Sequence, residues 1–84
     1  MPENALAHDL NTFLRQRFPA LPADLHDETS LLDSGAVDSL GILEIVGFIE
    51  ERCGIVLADE DITPENFATV GRLQALIRER RNGA

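Results

Sequence analysis

Ser39-Leu40-Gly41-Ile42-Leu43-Glu44-Ile45-Val46-Gly47-Phe48-Ile49-Glu50-Glu51-Arg52-Cys53 is the stretch from which the fold can be read. Leu40, Ile42, Leu43, Ile45, Val46, Phe48 and Ile49 cover much of a helical circumference, which marks a central helix packed on more than one side. Gly41 and Gly47 each weaken a helix interior by about 1 kcal/mol relative to alanine, so tertiary packing must hold this segment, and the glycines are expected to permit close helix contact. Gly54 supplies the stop. Upstream, Leu6, Leu10, Phe13, Leu14 and Phe18 recur at spacings of three and four, the pattern of a first amphipathic helix that Pro19 and Pro22 bring to an end. Between the two helices lies a long connection, about residues 19–38. Ser30 is placed to cap a single turn through Leu31-Leu32-Asp33, with Gly35 closing it in a left-handed conformation, and Leu25, Leu31 and Leu32 are expected to pin the loop to the core.

Downstream, Ile55-Val56-Leu57 reads as a buried loop, since no second strand exists to pair with it. Thr63-Pro64-Glu65 combines a cap, a proline at the first helical position and an acid in the first turn, which predicts a short helix. Thr69 caps the last helix, whose Val70, Leu73, Leu76 and Ile77 share a face, with arginines near its C-terminal end and fraying from Arg80 to Ala84. The expected fold class is all-α, a small helical bundle of three principal helices and one short helix with a long loop between helices one and two. It is expected to form a single domain over residues 1–84, with its core at about 5–80.

At 84 residues the chain has little room for an enclosed enzyme pocket with its supporting shell, so a non-catalytic role is expected. Cys53 is the lone cysteine, which rules out an internal disulfide and fits the cytoplasm. No basic leader or long apolar run marks secretion or membrane insertion. The net charge of −8 is unevenly spread: residues 24–65 hold twelve acids against Arg52, while residues 66–84 are basic. Such a field disfavours nucleic acid and anionic membranes, steers the domain toward basic docking patches, and favours a monomer.

Asp33-Ser34-Gly35-Ala36-Val37-Asp38-Ser39-Leu40 sets a serine where the long loop meets the central helix. A hydroxyl there is exposed, and the orphan N–H groups of a helix start favour a phosphate ester. Asp38 beside it can help an incoming enzyme's metal ion, because hard cations prefer carboxylate and phosphate oxygens. Other chemistries fit poorly. A Gly-Asp-Ser-Leu hydrolase needs a glycine where Val37 stands and an oriented histidine base, and His8 and His26 read as surface residues. The acids Asp59-Glu60-Asp61 lack the glycine and glutamate of a calcium loop, since Pro64 and Val70 hold those positions, and no metal site is expected. Cys53 reads as an inert thiol.

Gly35-Ala36-Val37-Asp38-Ser39-Leu40 followed by an apolar helix with Glu44, then Phe67-Ala68-Thr69-Val70 before a last amphipathic helix, resembles the acyl and peptidyl carrier protein family over about residues 5–80. The resemblance implies that Ser39 bears a covalent phosphopantetheine arm, received from coenzyme A through a phosphopantetheinyl transferase, whose thiol carries acyl or aminoacyl groups as thioesters. It also implies as partners a loading ligase and downstream biosynthetic enzymes, which read Val37, Asp38, Leu40, Leu43 and Glu44. Gly41 and Gly47 depart from the acid and methionine usual in carriers of bacterial fatty acid synthesis. The segment Asp61–Val70 is more similar to stand-alone carriers of specialised metabolism, including those loaded with amino acids. Docking is expected to be salt-sensitive through Asp38, Glu44, Glu50 and Glu51. The competing reading is an acidic helical adaptor in which Ser39 is only a helix cap.

Overall fold

Leucines four residues apart build the first helix of the computed structural model, which describes residues 3–33 and 35–82. Helix α1 spans Glu3–Arg17, and Leu6, Leu10, Leu14 and then Phe18 form its buried stripe. Helix α2 spans Ser39–Cys53, a 3-10 turn covers Asp59–Asp61, and helix α3 runs Val70–Arg81. The three helices bury one shared core. Ile45, Val46 and Ile49 come from α2, Val70, Leu73, Leu76 and Ile77 from α3, and Leu21, Leu25, Leu31, Val37, Leu57 and Phe67 from the connections. A fully buried leucine or phenylalanine contributes about 1.5–3 kcal/mol, so the loops supply a share of the stability comparable to that of the helices.

The long loop earns its order by capping α3. The first N–H groups of any helix lack internal acceptors and must find them elsewhere. Here Val70 N–H donates to the Thr29 carbonyl at 3.1 Å, Gly71 N–H to the Asp27 carbonyl at 2.9 Å, and Arg72 N–H to Thr69 Oγ1 at 3.1 Å. Leu31 N–H donates in turn to the Ala68 carbonyl at 2.9 Å, completing a small antiparallel bridge between Ser30 and Thr69. A side chain at Gly71 would meet Asp27 at 3.0 Å, which explains a glycine in that first turn. The expected Ser30 cap is present, with Asp33 N–H donating to Ser30 Oγ at 3.0 Å, and Gly35 takes φ 74°.

Several local expectations are corrected. The short helical element lies at Asp59–Asp61 rather than at Thr63. Thr63 does cap a turn, since Asn66 N–H donates to its Oγ1 and Phe67 N–H to its carbonyl, but the turn stops there. Fully buried Phe67 and the bond between Ala68 and Leu31 redirect the chain before a second turn can form. Val56 is 83% exposed, while Leu57 is buried in the core, its N–H held by Glu50 Oε2 at 2.9 Å, and Ile55 is half-buried against it, so the expected buried loop is buried in part. Helix α3 does not end at Arg80, because that side chain is anchored: its Nε and Nη2 donate to the two oxygens of buried Asp61 at 2.9 and 2.5 Å. Gly83 and Ala84 lie outside the described residues. No described helix is long and apolar enough to cross a membrane.

Candidate functional site

Asp38 starts α2. Its backbone is extended, with φ −102° and ψ −170°, its carbonyl accepts from Ile42 N–H at 2.9 Å, and its Oδ1 accepts from Gly41 N–H at 2.9 Å. The aspartate is therefore the cap, and Ser39 is the first helical residue, exposed at the surface. One prediction splits here. Asp38 has one carboxylate oxygen committed to the helix start, while Ser39 is exposed at the end of the helix where the dipole favours an anion. A phosphate ester on Ser39 fits this arrangement: the oxygen is accessible and the field is of the right sign.

Beneath the serine, Gly41 is buried. A Cβ there would lie 2.9 Å from Phe18 Cε1 and 3.1 Å from Val37 Cγ1, so this glycine admits the residue that follows α1 and the end of the long loop rather than another helix. Gly47 is different, exposed and with nothing within 4 Å of where a Cβ would stand. It neither permits a helix contact nor opens room for cargo between helices. Val37, placed among the recognition residues, is only 3% exposed; it braces Gly41 from below and presents no surface to a partner. Leu40 and Leu43 do face outward, 71% and 60% exposed, on the helix face that follows Ser39.

Glu44 carries a partner that sequence spacing does not reveal. Arg17, at the end of α1, donates from Nε and Nη2 to Glu44 Oε1 at 2.9 and 2.6 Å. The same guanidinium lies 5.4 Å from the centre of the Phe18 ring, which meets Phe13 edge-on, and Phe13 stacks on Phe48 at 4.3 Å. A ladder of aromatic and charged contacts thus ties the last turns of α1 to the middle of α2. At the far end of the two helices Arg52 pairs with Asp9. Arg17 and Phe18 are the site residues missed from sequence; the pairing of residues 27 apart leaves no periodic signal.

His8 and His26 are exposed on α1 and the long loop, as surface residues are. The Cys53 thiol is half-buried, and burial pushes its pKa up against the opposing influence of Arg81 and Arg52, which suits an unreactive thiol.

Comparisons with known proteins give matches over most of the chain. The family model described as the phosphopantetheine attachment site matches residues 13–77, which contain α2 and its loop entire. Aminoacyl carrier protein 2 of Bradyrhizobium diazoefficiens is 32% identical over 89% of this chain and 81% of its own length. A probable acyl carrier protein, PigG, of a Serratia species is 33% identical over 64% of this chain and 62% of its own. Among solved structures, a chain in the crystal structure of Bradyrhizobium japonicum glycine:[carrier protein] ligase complexed with glycylated carrier protein superposes with a TM-score of 0.67. It is 27% identical, and the superposition covers 88% of this chain and 96% of that one.

Proposed function

The chain belongs to the phosphopantetheine attachment family, as a non-catalytic acyl or aminoacyl carrier, and from that premise we propose that Ser39 is the residue that bears the arm. The observation that carries this reading is the position of Ser39: an exposed hydroxyl on the first helical residue of α2, directly after a cap that uses the neighbouring carboxylate instead. The acidic adaptor reading has no use for such a hydroxyl. When attached, phosphopantetheine supplies a thiol that holds cargo as a thioester. This chain's own residues provide the rest. Asp38 and Gly41 fix the start of α2, Phe18 and Val37 hold Gly41 in place, and Leu40 and Leu43 offer apolar contact to an enzyme. Glu44 contributes through its pair with Arg17, and Val37 acts only as a support.

For the cargo, an aminoacyl group is favoured over a fatty acyl group. Support comes from the aminoacyl carrier protein that this chain resembles over most of its length, and from the likeness to a chain crystallised with a glycine ligase and a glycylated carrier. A ligase that loads a small amino acid is the proposed first partner after the phosphopantetheinyl transferase, with downstream biosynthetic enzymes of specialised metabolism taking the cargo on. The proposed setting is a single carrier domain working as a monomer in the cytoplasm, a reading supported by the lone cysteine and the strong acidic charge.

The test is intact mass after incubation with coenzyme A, magnesium and a broad-specificity transferase. One phosphopantetheine is expected on the parent and none on Ser39→Ala. Addition to both would move the site elsewhere; addition to neither, with the chain folded, would defeat the assignment. Loaded protein offered glycine and fatty acids with their ligases then separates the two cargo classes.

A further inference from the structure

Asp38 and Leu40, the neighbours of Ser39 on either side, both line a groove between the end of α1 and the first turns of α2. Its volume is about 290 Å3, and Phe18, Pro19, Ala20, Ala36 and Leu40 make its apolar walls. Arg17 and Glu44 give it a charged edge.

We infer that this groove holds the part of the phosphopantetheine arm nearest the phosphate, its gem-dimethyl carbons and first amide, while the carrier is free of its enzymes. The inference rests on Ser39 as the attachment residue. A group tethered between two residues that line a cavity experiences that cavity at an effective concentration in the millimolar range, so weak complementarity suffices for occupancy. The volume sits near the lower end of small-molecule sites, about 300 Å3, which matches a short segment of the arm and leaves the thiol outside. The chemistry also matches. Branched methyl groups suit walls of proline, alanine and leucine, and covering Leu40 removes from water a side chain that is 71% exposed. Arg17 commits Nε–H and an Nη2–H to Glu44, and a guanidinium has five donors in all, so an amide carbonyl on that edge finds a partner.

The arrangement has a functional consequence. Leu40 is at once a wall of the groove and one of the two exposed leucines available to an enzyme. An enzyme that covers Leu40 competes with the resting arm for it, so docking and release of the arm are linked.

The experiment compares the unloaded chain with the chain carrying a pantetheine arm labelled with carbon-13 at its gem-dimethyl groups, by nuclear Overhauser contacts and amide shifts. Contacts from the labelled methyls to Phe18, Ala20 and Ala36 are expected, with amide shifts reaching Arg17 and Phe18. Shifts confined to residues 37–41, with no methyl contacts, would overturn the inference while leaving attachment at Ser39 intact. Failure of the parent to gain mass, or loading of Ser39→Ala, would instead remove the attachment reading and this inference with it. A second variant, Ala20→Phe, fills the groove from its exposed rim; once its mass confirms loading, the methyl contacts to Ala36 are expected to disappear, and their persistence would also overturn the inference.

Discussion

Replacing each of the two glycines of α2 by alanine asks opposite things of the same helix. Both substitutions gain helix propensity of about 1 kcal/mol. At Gly47 nothing stands within 4 Å of the new methyl, so Gly47→Ala is expected to keep the whole gain. At Gly41 the methyl would lie 2.9 and 3.2 Å from two carbons of the Phe18 ring and 3.1 Å from Val37 Cγ1. Phe18 and Val37 are 6% and 3% exposed, so neither can swing into solvent, and inserting a methyl into packed surroundings costs about 1–3 kcal/mol. Gly41→Ala is therefore expected between neutral and about 2 kcal/mol less stable. The two variants should differ by about 1–3 kcal/mol. For a domain of this size 1 kcal/mol moves the melting temperature by about 4–8 °C. Urea unfolding followed by circular dichroism, with slopes unchanged between variants, gives the comparison directly. Equal stabilisation by both alanines would refute the close approach of Phe18 and Val37 to the start of α2. Destabilisation by Gly47→Ala would refute the exposure assigned to that face.

Asp38→Ala removes the acceptor for Gly41 N–H and is expected to cost about 0.5–2 kcal/mol in urea unfolding, while leaving the Ser39 hydroxyl in place for loading by mass spectrometry. Asp61 gives a pH dependence. The Arg80 guanidinium, chiefly by hydrogen bonding, and the Ala58 N–H hold its carboxyl below the ordinary range, against the effect of burial. A depressed value in the folded chain means that the unfolded chain takes up the proton first, so the pair stabilises the fold above the ordinary carboxylate value of about 3.9 and that contribution is lost as the pH falls through the folded value. Asp61→Asn is expected to unfold at lower urea than the parent at pH 7, with the gap closing below about pH 4. A gap that stays constant down to pH 2 would mean that the ion pair is not its source.

The sequence disclosed most where one local rule acts alone. Apolar spacing and two prolines bound α1, and Gly54, at φ 67°, closes α2 where a glycine was needed for the left-handed turn. Thr69 caps α3 as its position before an apolar stripe implies. The sequence misled where two rules competed. Thr63-Pro64-Glu65 has the chemistry of a helix start, and a turn does form there, but the burial of Phe67 and the bridge from Leu31 to Ala68 are long-range demands that override it. Likewise two glycines six apart in the same helix face opposite environments, because Phe18 and Val37 close over Gly41 while Gly47 lies on the exposed side of α2. Phe18 and Arg17 reach α2 from more than twenty residues away, too far for any periodic signal in the sequence.

The same distinction governs the acidic surface. Counting charges suggests a uniform docking field in which Asp38, Glu44, Glu50 and Glu51 act alike. In the folded chain three of them have other engagements. Asp38 caps α2, Glu50 accepts from Leu57 N–H, and Glu44 is paired with Arg17, leaving Glu51 as the exposed member with the most latitude to meet an incoming basic group. Charge reversal at Glu44 would therefore do two things at once, removing an acid and setting a new cation beside Arg17 at the rim of the groove next to Ser39. A change in salt dependence after that substitution reports on the local pair as much as on the partner. Electrostatic steering depends on the summed field, which every acid shares, whereas register depends on which side chains are free to move. On the proposed reading of Ser39, proximity favours Leu40 and Leu43 as the determinants of register, with the surrounding acids acting on the rate at which partners arrive.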